Sequence, residues 1–90
     1  MRKRVGYVAV DSGQLMIIDP CGVDLWDEKR HYTRTCQITR QRKVGQLTIQ
    51  GGMTAVVSGT GFGDGRYPVY ATFDEDGWIE KLEVVFQPIP

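Results

Sequence analysis

Apolar residues fall along this chain in short runs, most of period two, separated by clusters of Gly, Asp and Pro. Period two places alternate side chains on opposite faces of a strand, so the pattern predicts strands throughout. Val5–Val10 and Gln14–Asp19 are β-branched-rich and flank Asp11-Ser12-Gly13, a polar turn with glycine where positive φ is wanted; they predict a hairpin. Leu15-Met16-Ile17-Ile18 lacks polar alternation, which predicts a central strand covered on both faces. Asp19-Pro20-Cys21-Gly22 ends that strand, because proline cannot donate to a ladder. Val23–Arg30 reads as a loop, with a short helical turn capped by Asp24 as the alternative. Tyr32–Ile38 alternates Tyr32, Arg34, Cys36 and Ile38 against Thr33, Thr35 and Gln37, which predicts a half-exposed strand.

In Gln46–Gln50, Leu47 and Ile49 share a face, and Gly51-Gly52 turns the chain into Met53–Ser58. Tyr67, Val69, Ala71 and Phe73 alternate, Asp74-Glu75-Asp76-Gly77 forms a tight turn, and Trp78–Phe86 returns with Trp78, Leu82, Val84 and Phe86 on a face interrupted by Glu80. This last hairpin is the expected stability centre, with Trp78 as a buried anchor. No long helix-period stripe is legible. The expected fold is all-β and mainly antiparallel, a single domain over residues 1–90 built as a compact six- to seven-stranded barrel or sandwich. A core of this size is marginal, which favours oligomerisation, most simply a two-fold homodimer.

Charge changes the picture next. Formal net charge is zero, which argues against generic nucleic-acid binding. From Lys29 to Lys43, however, stand six basic residues, His31 and no acid, whereas Asp64–Glu83 holds six acids against Arg66 and Lys81. Two accounts fit this segregation: opposite charges paired across neighbouring strands or a subunit contact, or an anion site on the basic half. The two cysteines, Cys21 and Cys36, are too few for a disulfide scaffold and are expected to be reduced, Cys21 as a buried or half-buried thiol. No apolar run is long enough to span a membrane, and the basic Met1–Arg4 is followed by no cleavage signal, so a cytoplasmic protein is expected.

The alternating glycines of Gly59-Thr60-Gly61-Phe62-Gly63-Asp64-Gly65 invite comparison with a phosphate cradle. Nucleotide loops need a Gly-x-x-x-x-Gly-Lys-Ser/Thr or Gly-x-Gly-x-x-Gly spacing that opens a helix. Here an extended Tyr67–Phe73 follows, leaving either a flexible connection or a lid that orders over a ligand. Asp74–Gly77 lacks the calcium-loop spacing, since Val85 stands where the twelfth-position glutamate belongs. Cys21 with His31 shows no legible oxyanion partner, Asp11 and Asp19 sit in ordinary turn contexts, and one histidine makes no zinc cluster. No cofactor or metal is expected. The basic segment carries the strongest functional signal: Arg34, Arg40 and Arg42 offer guanidinium forks for phosphate, and Tyr32 a stacking ring of the same strand parity. The candidate ligand-binding set is Tyr32, Arg34, Arg40 and Arg42 with Gly61, Gly63, Asp64 and Gly65.

The segments VAVDSGQLMIIDP (Val8–Pro20) and GDGRYPVYATFDEDGWIEKLEVVF (Gly63–Phe86) together resemble a family of small uncharacterised domains of bacteriophage and bacterial genomes. In that family an Asp-Ser-Gly turn precedes an apolar strand ending in Asp-Pro, and Gly-Asp-Gly-x-Tyr-Pro-Val opens the final hairpin. Residues 22–50 match nothing in it. The resemblance implies a β fold and a phage setting, and transfers no catalytic residue. In such a setting the expected function is non-catalytic sequestration of a small anionic, nucleotide-derived immune signal of the host. Two other classes remain open: an interaction module assembling through its basic and acidic surfaces, and a small phosphate-ester or cyclic-nucleotide hydrolase.

Overall fold

The computed structural model describes residues 1–87. In chain order the elements are β1 (Arg2–Val10), β2 (Gln14–Ile17), a 3-10 turn (Pro20–Leu25), α1 (Glu28–Arg42), β3 (Val44–Thr48), a second 3-10 turn (Gln50–Gly52), β4 (Thr54–Gly59), β5 (Gly65–Phe73) and β6 (Ile79–Val84). Two compact units result, one of residues 14–60 and one combining residues 1–13 with Gly61 onward. The expected all-β barrel or sandwich does not form. The fold is mixed, with two separate three-stranded antiparallel sheets and a 15-residue helix.

In the unit of residues 14–60 the strand order is β2-β4-β3, and α1 packs on β3 and β4. Leu47, Ile49, Ala55 and Val57 form the buried core, with Met16, Ile18, Leu25, Trp26, Ile38 and Met53 packed against it. The paired face of Leu47 and Ile49 and the Gly51-Gly52 turn into β4 agree with the sequence reading; both glycines take φ of 80°.

The strand expected over Tyr32–Ile38 is instead the middle of α1. Its cause is local. The Asp27 carboxylate accepts from the Lys29 and Arg30 N–H groups at 3.1 and 3.4 Å, satisfying two donors that a helix start leaves orphaned. His31 Nδ1 accepts the Asp27 N–H at 2.8 Å, and its ring lies 5.1 Å from that of Trp26. Glu28 in the first turn and Arg40 and Arg42 in the last complement the helix dipole. His31 and Thr35 are buried and Ile38 is partly buried, an i, i+4, i+7 stripe. Val23–Arg30 is correspondingly no plain loop: the 3-10 turn runs to Leu25, and Asp27, not Asp24, caps the helix.

Two further expectations fail. Gly13 does take positive φ, at 71°, but β1 and β2 do not pair; they belong to different sheets. β2 is also an edge strand and not a covered central one, and Ile17 is 64% exposed.

In the other unit the order is β1-β5-β6. β1 runs antiparallel to β5, from Arg2 opposite Thr72 to Val10 opposite Gly65, with an irregularity between Arg4 and Gly6. The expected final hairpin is present as β5–β6. Its turn is held by the Asp74 carboxylate, which accepts from the Asp76 and Trp78 N–H groups at 2.9 Å each, and Gly77 supplies a φ of 86°. Buried Tyr67 meets Phe86 edge to face at 5.7 Å, with Val10 and Ala71 also buried. Trp78 is not the expected anchor, being 74% exposed at the start of the return strand.

Candidate functional site

Folding residues 28–42 as a helix redistributes the predicted site. At 3.6 residues per turn, Arg34 and Arg42 lie about 80° apart around α1 and about 12 Å apart along it. Arg40 falls about 120° away from Arg34, and Tyr32 about 160° away. Arg34 and Arg42 therefore come together in a groove of about 260 Å3 that they line with Gln37, Ile38, Gln41, Gly45 and Gln46. Tyr32 and Arg40 are not in it. Shared parity would join all four only on a strand.

At the groove α1 and β3 approach closely at Gly45, where a side-chain Cβ would lie 2.7 Å from Ile38 Cγ2. Two guanidinium groups and three carboxamides line it, with no carboxylate. Such a lining offers charge and both donor and acceptor hydrogen-bonding groups, and no proton-transfer group. Gln37, Gln41, Gly45 and Gln46 were not singled out in the sequence, because only helical spacing and the turn into β3 gather them.

Tyr32 serves another cluster, interacting with the Cys36 side chain one helical turn on. Cys36 Sγ also receives the Gln14 side-chain amide at 3.4 Å, and the Thr39 hydroxyl donates to Gln14 Oε1 at 3.4 Å, tying α1 to β2. The hydrogen bond to Cys36, with that group's charge and burial adding to it, holds the Tyr32 phenol above the ordinary tyrosine value. Cys36 is half-buried, whereas Cys21, expected to be buried or half-buried, is exposed.

Of the glycine stretch, Gly59 ends β4, and Gly61–Gly65 belong to the other unit. Gly61, Gly63 and Gly65 take φ of 78°, 77° and 154°, and β5 follows directly, without a helix. The loop is anchored: buried Tyr67 donates its hydroxyl to the Gly63 carbonyl at 2.7 Å. Asp64 is exposed in the same loop. In this unit three arginines also stack on tyrosines, Arg2 on Tyr70 at 3.8 Å, and Arg4 and Arg66 on Tyr7 at 5.0 and 4.5 Å. The Arg2–Tyr70 and Arg66–Tyr7 stacks join β1 to β5, Arg4 stacks within β1, and the Arg2–Glu83 pair at 3.1 Å reaches β6.

The charge segregation is not resolved by strand pairing, since residues 29–42 lie in α1, with Lys43 at its end, in one unit and residues 64–83 lie in the other. Among the described residues, no group of three or more His, Cys, Asp or Glu side chains could hold a metal ion, and no helix is long and apolar enough to cross a membrane. No family model, curated protein or solved structure matches the chain.

Proposed function

We propose that this chain is a non-catalytic binding protein that captures a small anionic, nucleotide-derived molecule, with Arg34 and Arg42 as its phosphate clamps. The observation that carries the reading is the groove between α1 and β3, in which two arginines and three glutamines converge without an acid. Guanidinium forks match phosphate oxygens in pairs, and a charge-assisted contact of this kind is worth about 1.5 to 3 kcal/mol. The carboxamides add donors and acceptors suited to sugar hydroxyls or a base edge. At about 260 Å3 the groove falls just short of the roughly 300–1,000 Å3 of common ligand pockets. It suits the phosphate-bearing end of a nucleotide, with the remainder outside. The resemblance to small phage domains supplies the setting, sequestration of a host immune signal in the cytoplasm.

The test is a thermal-shift panel of cyclic and linear nucleotides, followed by heat denaturation and analysis of the released ligand. Capture requires a shift, recovery of intact ligand, loss of the shift in Arg34→Gln and Arg42→Gln, and weaker binding as salt rises. Altered ligand after release identifies a hydrolase. No shift with any nucleotide removes the capture reading and leaves an interaction module.

A further inference from the structure

We propose that the free edge of β6 is the seat of a two-fold homodimer, in which two copies join their β1-β5-β6 sheets antiparallel, centred on Leu82. Backbone parity, exposure and charge register in β6 carry the inference, independently of the ligand groove.

β6 is the outer strand of its sheet. The Val85 N–H donates to the Pro68 carbonyl at 3.1 Å, so Val85 directs its backbone groups toward β5. Antiparallel alternation then turns Glu83 and Lys81 the same way and leaves the N–H and C=O of Leu82 and Val84 facing outward. The strand with these open groups also exposes large apolar side chains: Ile79 is 61% and Leu82 64% exposed, and Trp78 precedes them. An apolar open edge is a template for another strand, and folded proteins usually cover or blunt it.

The occupant follows from the register. A two-fold axis normal to a continuous sheet pairs one residue with its own copy. Centring on Lys81 or Glu83 sets each opposite its own copy, a like-charge pair, which leaves Leu82 and Val84 as the choices to compare. Centring on Leu82 sets Lys81 opposite the partner's Glu83 and Glu83 opposite the partner's Lys81, two opposite-charge pairs across one junction. It also sets Leu82 against the partner's Leu82. Centring on Val84 sets Glu83 opposite the partner's Val85 and Lys81 opposite the partner's Gln87, with no charge pair. Lys81 already lies 3.9 Å from Glu83 on its own strand, and Arg2 lies 3.1 Å from the same carboxylate, so the Leu82 register joins the two copies' Lys81, Glu83 and Arg2 in one charge cluster. A second copy of this chain satisfies backbone, apolar and charged groups together.

Sedimentation equilibrium over a micromolar-to-millimolar series tests the proposal. The parent is expected to approach the mass of two 10.2 kDa chains. Lys81→Glu alone and Glu83→Lys alone each place like charges opposite one another and should weaken self-association about tenfold or more. An equimolar mixture of the two variants should recover a dimer containing one copy of each. Amide hydrogen exchange supplies a second reading in the unaltered protein: Leu82 and Val84 should gain protection as concentration rises. A parent that stays monomeric across the series, fast exchange of both amides at every concentration, or self-association indifferent to both charge reversals would each overturn the proposal.

Discussion

Gly45→Ala tests the close contact between α1 and β3 at the groove. An alanine Cβ at this position would lie 2.7 Å from Ile38 Cγ2, where carbon atoms prefer about 3.5 to 4.0 Å, so helix and strand must separate by about 1 Å. Rotating Ile38 is a poor escape, because a β-branched residue in a helix has one strongly preferred χ1 rotamer. Overpacking of this kind costs about 1 to 3 kcal/mol, and the smaller chain entropy of unfolded alanine returns about 0.4 to 1 kcal/mol. A net loss of about 1 to 2 kcal/mol is expected, lowering Tm by about 5 to 10 °C in a domain of this size. Chemical and thermal denaturation of Gly45→Ala, Ile38→Ala and the double variant measures it. Removing Ile38 Cγ2 creates the space that the added methyl group needs, so the double variant should be more stable than the summed single losses imply. Strict additivity, or a Gly45→Ala protein as stable as the parent, refutes the close approach of α1 and β3.

Asp27→Ala removes the acceptor for two helix-start N–H groups and should cost about 1 kcal/mol by denaturant titration, with helix content reduced by circular dichroism. Thr72 Oγ1 is buried without a hydrogen-bond partner among the described residues; Thr72→Val keeps the shape, removes the unsatisfied oxygen, and should leave Tm unchanged or raise it. Because its folded-state pKa is raised, Tyr32 contributes stability that is fully present below the unfolded value near 10 and is lost as pH rises through the folded value. A phenolate absorbance titration, taken as the difference from Tyr32→Phe, should show Tyr32 ionising late, and Cys36→Ala should bring it back toward the ordinary value.

The parts legible in the sequence are those whose signals are local. The β5–β6 hairpin declares itself by alternation around Asp74–Gly77, and β3 by Leu47 and Ile49 before Gly51-Gly52. α1 is hidden because its buried stripe is His31, Thr35 and Ile38, two of them polar, while Tyr32, Arg34 and Cys36 imitate period two. The capping signal at Asp27, with Glu28 after it, is outweighed there by threonine content. β1 and β2 look like a hairpin because nearness in sequence stands in for pairing; β1 selects β5 instead, across the whole intervening unit. Trp78 illustrates a limit of alternation, which identifies a face without saying whether anything covers it. Arg34 and Arg42 are found by charge alone, and Arg40 and Tyr32 come with them because helical and strand periods sort the same residues differently.

The interrupted course of the β1-β5-β6 unit also fixes an order of events during synthesis. Residues 14–60 are contiguous, so the β2-β4-β3 sheet and α1 can assemble as soon as β4 leaves the ribosome. β1 is made before them, yet its partner β5 emerges only after that entire unit. Meanwhile Val5, Tyr7, Val8 and Val10 form an orphan strand with aggregation potential, and the preceding Arg2-Lys3-Arg4 places three positive charges at its head as gatekeepers against other nascent chains. The arginines that later stack on Tyr70 and Tyr7 thus guard the strand before β5 is there to receive it.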